Sequence, residues 1–247
     1  NLQNGQWKAL AKPAKKINID DLIFFKDKDG NIYNLFAQII DKKNGEVTFD
    51  FANDHDKFIQ MLINDGKVML PPYITSKRKI KSSDNIDYQT IFSKKDGSIA
   101  APTAGLHFTD NLIDEITKKG VRFERITLNI GLGTFLPLRN DKVEDNSLQS
   151  EHCFISESTV KKLNEAKKKK NQRIISVGTT SLRSLETSFN GNEFVPVNSK
   201  TNKFIYPGIK INSIDALITN FHLPKSSLFI LICALMGTKK MLEAYNY

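Results

Sequence analysis

The stretch Ser176-Val177-Gly178-Thr179-Thr180-Ser181-Leu182-Arg183-Ser184-Leu185-Glu186 follows a short, mainly apolar run, Ile174–Val177, and leads into a segment of helical composition. The run reads as a buried strand. A strand that breaks at Gly178 and re-enters a helix through three hydroxyl residues leaves unpaired backbone N–H groups converging on one spot. Such a spot suits a phosphate, a carboxylate or a ribose. A plainer reading makes the same residues an ordinary helix start, with Thr180 or Ser181 capping the first turn.

Working outward, two more units share the strand–loop–helix rhythm. Asp110–Lys119 reads as a helix with Thr109 as N-cap and Gly120 as its stop, and Val121–Ile130 follows as a strand ending in Gly131-Leu132-Gly133. Ala216–Thr219 reads as another strand. It is followed by the turn Asn220-Phe221-His222-Leu223-Pro224 and by a helix, Leu228–Met236, capped by Ser226 or Ser227 and closed by Gly237. That helix is apolar nearly all round, which predicts burial. Val160–Lys170 reads as an amphipathic helix with Val160, Leu163 and Ala166 inward and lysines outward. Alternation of this kind predicts a large α/β domain with mostly parallel strands and loops gathered at their carboxyl ends.

Toward the start the rhythm is different. Ile17–Ile19, Leu22–Phe25, Ile32–Ile40 and Val47–Phe51 are β-like, separated by Asp29-Gly30-Asn31 and Asn44-Gly45, which are hairpin signals. Phe58–Leu62 reads as a short helix ending at Asp65-Gly66, and Pro71-Pro72 marks a boundary. The organisation expected is therefore residues 1–70 as part of a small antiparallel β-barrel domain and 71–247 as the α/β domain. Between them runs a basic connector, Tyr73–Lys81, in which Tyr73, Lys77, Arg78 and Lys79 either form a solvated loop or contact nucleic-acid phosphate.

With 247 residues, 40% of them hydrophobic, the chain can bury a sizeable core. The longest apolar run is too short to span a bilayer. Asn1 is not a methionine, and Trp7–Leu10 already resembles a domain interior, so a piece of a longer chain is expected. Thirty-six Lys and Arg against 27 acids give a formal charge of +9, which favours a polyanionic partner, nucleic acid first. Cys153 and Cys233 lack ligand spacing, so neither a zinc site nor a disulfide framework is expected, and a reducing cytoplasm fits.

Of four histidines, His107 and His222 lie in turns of the kind described above, where an imidazole can serve as acid, base or neutral donor. His55 sits in a polar turn and reads as surface. Glu151 and His152 are adjacent on an extended run, so at most one of them faces a shared site. The Gly131–Gly133 turn admits close backbone approach, yet there is no GxGxxG, Walker lysine, GxSxG or HExxH.

Taken together, Ala101–Thr109 (APTAGLHFT), Leu128–Leu138 (LNIGLGTFLPL), Val177–Glu186 (VGTTSLRSLE), Phe204–Gly208 (FIYPG) and Asp215–Ser227 (DALITNFHLPKSS) closely resemble the S-adenosylmethionine:tRNA ribosyltransferase-isomerase family of queuosine biosynthesis. The resemblance runs in order from about Leu70 to the last residue. It implies a large α/β domain with a small β-barrel, and transfer of the ribosyl part of S-adenosylmethionine to the aminomethyl group of a 7-deazaguanine at the tRNA wobble position. Epoxyqueuosine forms as adenine and methionine leave. No metal or cofactor is implied, since S-adenosylmethionine is a substrate, and the partner is the tRNA anticodon stem-loop. A cytoplasmic monomer is expected.

On the same resemblance His107, Glu151 and His222 are the catalytic candidates, the histidines as acid and base and Glu151 as a further base or a counter-charge to the sulfonium. Thr103, Gly105, Gly131, Gly133, Thr134, Gly178, Thr179, Thr180 and Asn220 are expected to hold substrate. Arg183 is expected to clamp the methionine carboxylate or a phosphate through its planar fork. The plainer reading of Arg183 is an ion pair with Glu186 along its own helix. The chain departs from the family with Asn129 before the glycine turn, with Asn146–Glu151 in place of a His-rich approach, and by stopping at Tyr247. Two other classes fit part of the pattern: a non-catalytic tRNA-binding module and an S-adenosylmethionine-dependent tRNA methyltransferase.

Overall fold

A computed structural model describes residues 5–247 except 12, 28, 44, 53, 67, 95, 96, 132–137 and 139. The chain divides into two compact units, Asn1–Val68 and Met69–Tyr247.

In the first unit, β1 (Gln6–Leu10), β2 (Leu22–Lys26), β3 (Ile32–Lys43) and β4 (Glu46–Asp50) form an antiparallel sheet of order β1-β4-β3-β2, followed by α1 (His55–Asp65). Alternation along β3 as far as Ile39 buries Leu35, Ala37 and Ile39 and exposes Phe36. Leu35, Ala37 and Phe51 pack with Phe58 of α1, and the Phe51 and Phe58 rings stack 4.1 Å apart. The expected hairpin through Gly30 is present, with Gly30 at φ +92° and β2 paired to β3. Asn44 of the second hairpin signal lies outside the described residues. Ile17–Ile19 joins no ladder. His55, expected at the surface, is half-buried: it opens α1 beside the Trp7 ring, and its Nε2 is covered without a partner among the described residues.

The second unit opens with two single turns, α2 (Pro72–Thr75) and α3 (Asp84–Asp87), and a 3-10 turn, Thr103–His107. Next come α4 (Asp110–Lys118), β5 (Thr127–Asn129), β6 (Glu151–Ile155), α5 (Glu157–Lys168), β7 (Ile175–Val177) and α6 (Thr179–Ser188). They are followed by β8 (Val197–Thr201), β9 (Ala216–Ile218), α7 (Ser227–Met236) and α8 (Thr238–Asn246). Side-chain caps start three of the helices, two of them, Thr109 and Ser226, as the sequence predicts. Thr109 accepts from the Leu112 N–H, Ser156 from Thr159 and Ser226 from Phe229. Val160 and Leu163 of α5 are buried in one core with Leu182, Leu185, Leu231 and Ile232.

The sequence rhythm predicts mostly parallel strands, and among the described residues that prediction is not met. β5-β6-β8 is antiparallel throughout, and parallel pairing is confined to β7 with β9. Alternation of strand and helix in sequence does not say which strands are neighbours. α5 joins β6 to β7, which lie in different sheets, so it is not a crossover within one sheet. Two further expectations change. The strand foreseen over Val121–Ile130 shortens to Thr127–Asn129, and α7 is buried on one side only, with Met236 exposed.

α6 packs against β5, β6, β7 and β8. It starts at Gly178, with φ +90° and ψ 145°, and has no side-chain cap, so neither Thr180 nor Ser181 plays the capping role. The positive φ lets the chain leave β7 and enter the helix without an intervening loop, while the Gly178 N–H donates to Ile218 O at 2.8 Å and extends the parallel pairing by one residue. Gly178→Ala should therefore destabilise the protein by about 1–3 kcal/mol through backbone strain, read as a lower midpoint in urea denaturation. The added methyl itself meets only an ordinary contact, 3.9 Å from Ala104.

Candidate active site

Three loops meet at the carboxyl ends of β7 and β9. The 3-10 turn Thr103–His107 lies against the Gly178 turn through Ala104, and the segment after β9 reaches back to it. Thr103 Oγ1 donates to Asn220 Oδ1 at 3.0 Å, and Asn220 Nδ2 lies 3.3 Å from His107 Nε2. With Oδ1 occupied as acceptor, Nδ2 is the donor, and His107 Nε2 accepts with its ring proton on Nδ1. Asn220 thereby fixes an exposed imidazole in one orientation.

His222 sits two residues on. Its Nε2 lies 3.1 Å from Thr219 Oγ1, and its backbone N–H donates to the Tyr245 hydroxyl of α8 at 2.8 Å. Burial pushes its pKa below the ordinary 6.5, because the surroundings penalise the charged ring. A neutral imidazole at neutral pH can accept or donate a proton.

A second group lies along α6. Glu151 opens β6 and is 4% exposed; Arg183 is 6% exposed. Arg183 Nη1 donates to Glu151 Oε2 at 2.8 Å, Arg183 Nε donates to Lys203 O at 3.2 Å, and the Gly131 N–H donates to Glu151 Oε1 at 3.0 Å. Arg183 Nη2 is buried and has no partner among the described residues. The rise of an α-helix, about 1.5 Å per residue, puts Arg183 about 7 Å along the axis from the Gly178 turn. One helix thus carries both groups.

Several expected site residues have partners within the protein. Arg183 pairs neither with Glu186 nor, through a free fork, with an anion: two of its donors are already used inside the protein. Glu186 instead accepts from the Asn212 and Ser213 N–H groups. Gly105 is no open floor, since a methyl there would lie 3.2 Å from the Thr90 and Phe92 side chains. Its glycine serves close packing. Arg78 is tied to the buried Asp84 carboxylate by two donors at 2.6 and 2.8 Å, and that pairing, helped by the Lys81 N–H, holds Asp84 at about 2. Tyr73, Lys77 and Lys79 are exposed. Gly133 and Thr134 lie outside the described residues. A cavity of about 370 Å³, lined by Ile113, Val121, Arg125 and Lys162 among others, contains none of the expected residues. Among the described residues, no group of His, Cys, Asp and Glu is arranged to hold a metal ion.

The family model described as "Queuosine biosynthesis protein" matches residues 1–247. The chain belongs to that family. A relative from Zymomonas mobilis named S-adenosylmethionine:tRNA ribosyltransferase-isomerase is 42% identical over 244 residues, 98% of this chain and 69% of its own length. One of the same name from Buchnera aphidicola is 43% identical over 242 residues, covering 96% of this chain and 66% of that protein. Another from Rickettsia canadensis is 40% identical, over 100% and 62%. The chain spans about two thirds of the length of these curated relatives. A solved S-adenosylmethionine tRNA ribosyltransferase from Thermotoga maritima aligns with TM-score 0.47 and 27% identity, over 100% of this chain and 65% of that one.

Tyr245 and the Lys203 carbonyl escape a reading of this family member's sequence, because each meets its partner 20 or more residues away and no local spacing announces the contact. Glu151 and Arg183 are 32 residues apart and carry no mutual signal either.

Removing one partner of a buried ion pair strands the other charge, so Glu151→Leu or Arg183→Met alone should cost about 3–5 kcal/mol. The double variant should lose clearly less than the sum, as read in a denaturation cycle. His222 gives a separate, pH-dependent signature. Its folded pKa lies below 6.5, so its contribution to stability is present above pH 6.5 and is lost as pH falls through the folded value. The stability difference between wild type and His222→Gln should accordingly shrink as pH drops from 7.5 toward 5.

Proposed function

We propose that this chain carries the ribosyl-transfer and isomerisation chemistry named for its relatives. The ribosyl part of S-adenosylmethionine moves to the aminomethyl-7-deazaguanine of the tRNA wobble position, and adenine and methionine are released. The observation that carries the reading is the hydrogen-bonded Thr103–Asn220–His107 set beside His222, in a chain about 40% identical to proteins of that name.

The chemistry needs a base for the acidic carbon next to the sulfonium, an acid for the departing adenine and a neutral attacking amine. His107 and His222 are the groups proposed for proton transfer, His222 as the neutral imidazole that its burial favours. Glu151 supplies a fixed negative charge near the Gly131 turn, and Arg183 holds that carboxylate in place. Arg183 Nη2 is the donor left for the methionine carboxylate, which it would meet singly and not as a fork. Thr179, Thr180, Gly178 and the Gly131 backbone line the approach for ribose. Because S-adenosylmethionine is consumed, the reading requires no cofactor. It places the protein in the cytoplasm as a monomer with its tRNA, and no helix among the described residues is long and apolar enough to cross a membrane. The anticodon stem-loop would meet Tyr73, Lys77 and Lys79.

Incubation of the full-length protein with labelled S-adenosylmethionine and precursor-containing tRNA tests the proposal. Equal release of adenine and methionine is the expected result. S-adenosylhomocysteine would indicate methyl transfer instead, and tRNA binding without turnover a binding module; either overturns the reading. His222→Ala should lower kcat by about 10²–10⁴-fold with tRNA affinity retained, and unchanged turnover removes His222 from the chemistry.

A further inference from the structure

We propose that Phe221 is a stacking platform for a nucleobase at the rim of the His107–Asn220–His222 cluster. Its ring is 78% exposed, on the loop that joins β9 to α7. An isolated exposed apolar residue is ordinary. What sets this one apart is how firmly it is held.

Both neighbours of Phe221 are pinned. The Asn220 side chain bridges Thr103 and His107, and the His222 N–H is bonded to the Tyr245 hydroxyl. The Phe221 ring meets the Tyr245 ring edge to face, with centroids 4.9 Å apart and planes at 67°. Further along, the Ser226 hydroxyl donates to Leu223 O at 2.7 Å, and Lys225 sits at φ +59°, a strained conformation for a side-chain-bearing residue. A loop cross-tied in this way presents an aromatic surface whose ordering is complete before any ligand arrives.

The surroundings select the ligand class. The same short loop carries the Asn220 amide, bonded to the His107 ring, together with the His222 imidazole and the Lys225 cation, so a purely apolar partner docking on this loop would cover hydrogen-bonding groups without satisfying them. A nucleobase offers a flat face to the ring and polar edges to its neighbours. Stacking of a base on an aromatic side chain is worth enough to weaken binding about tenfold when the ring is removed. The inference rests on the function proposed above, under which two sources supply such a base: the adenine of S-adenosylmethionine and an unpaired base of the tRNA loop.

Phe221→Trp turns the platform into its own reporter. The chain has one native tryptophan, Trp7, in the other unit, so the wild type serves as the blank. The full-length variant is titrated separately with S-adenosylmethionine, with an anticodon stem-loop RNA and with methionine, which lacks a base. Saturable quenching by the first or the second supports the proposal and identifies the source of the base. Quenching by neither, or equal quenching by methionine, overturns it.

A substitution series supplies the second readout. Affinity for the quenching probe should be kept in Phe221→Tyr and fall about tenfold in both Phe221→Ala and Phe221→Leu, because leucine retains apolar area without a π face. Leucine binding as tightly as phenylalanine overturns the stacking role, provided the thermal midpoints match. Binding is read without turnover. A protein that quenches yet transfers no ribosyl group therefore refutes the reaction and not the platform.

Discussion

A carboxylate and a guanidinium facing each other at 2.8 Å in the dry interior tolerate no loss of partner. Glu151 stands at the first position of β6 and Arg183 at the fifth position of α6, so the pair ties the three-stranded sheet to the helix that crosses it. The Gly131 N–H on the second carboxylate oxygen and the Lys203 carbonyl on Arg183 Nε extend the tie to two more segments. Four stretches distant in sequence are thus held in one register by charge-assisted hydrogen bonds, which fix geometry as well as energy.

From that anchored helix the rest of the site is set by one residue. Gly178 turns β7 into α6, and on the other side it bonds to β9, so the Asn220–His222 loop emerges beside the start of α6. The 3-10 turn of Thr103–His107 packs against the same spot. The loops that carry His107 and His222 are therefore joined through Asn220 at the carboxyl ends of a single parallel pair, where strand ends leave a crevice in α/β proteins, although the neighbouring sheet is antiparallel. The site needs the local pair and not a large parallel sheet.

Local rules accounted for much of the fold. Thr109, Ser156 and Ser226 cap helices because a hydroxyl ahead of an apolar-periodic run satisfies a free N–H, and Asp29-Gly30-Asn31 makes a hairpin because the turn needs positive φ. The same rules are silent where a residue's partner is far away in the chain. Arg183, for which the helix offers Glu186, is bonded to Glu151, 32 residues back, and His55, read as surface, is half-buried beside Trp7.

The sequence by itself determined the family, the boundaries of the helices Asp110–Lys118 and Ser227–Met236 to within a residue, and the change of rhythm near Pro71, since these depend on residue type and short spacing. Tertiary structure alone decided that Arg183 serves Glu151 and not Glu186, that Gly105 is a packing contact, that β6 lies antiparallel between β5 and β8, and that Asn220 orients His107. The reason is physical. Hydrogen bonds and ion pairs form between whichever groups the folded chain brings within about 3 Å, and distance along the chain says nothing of that separation.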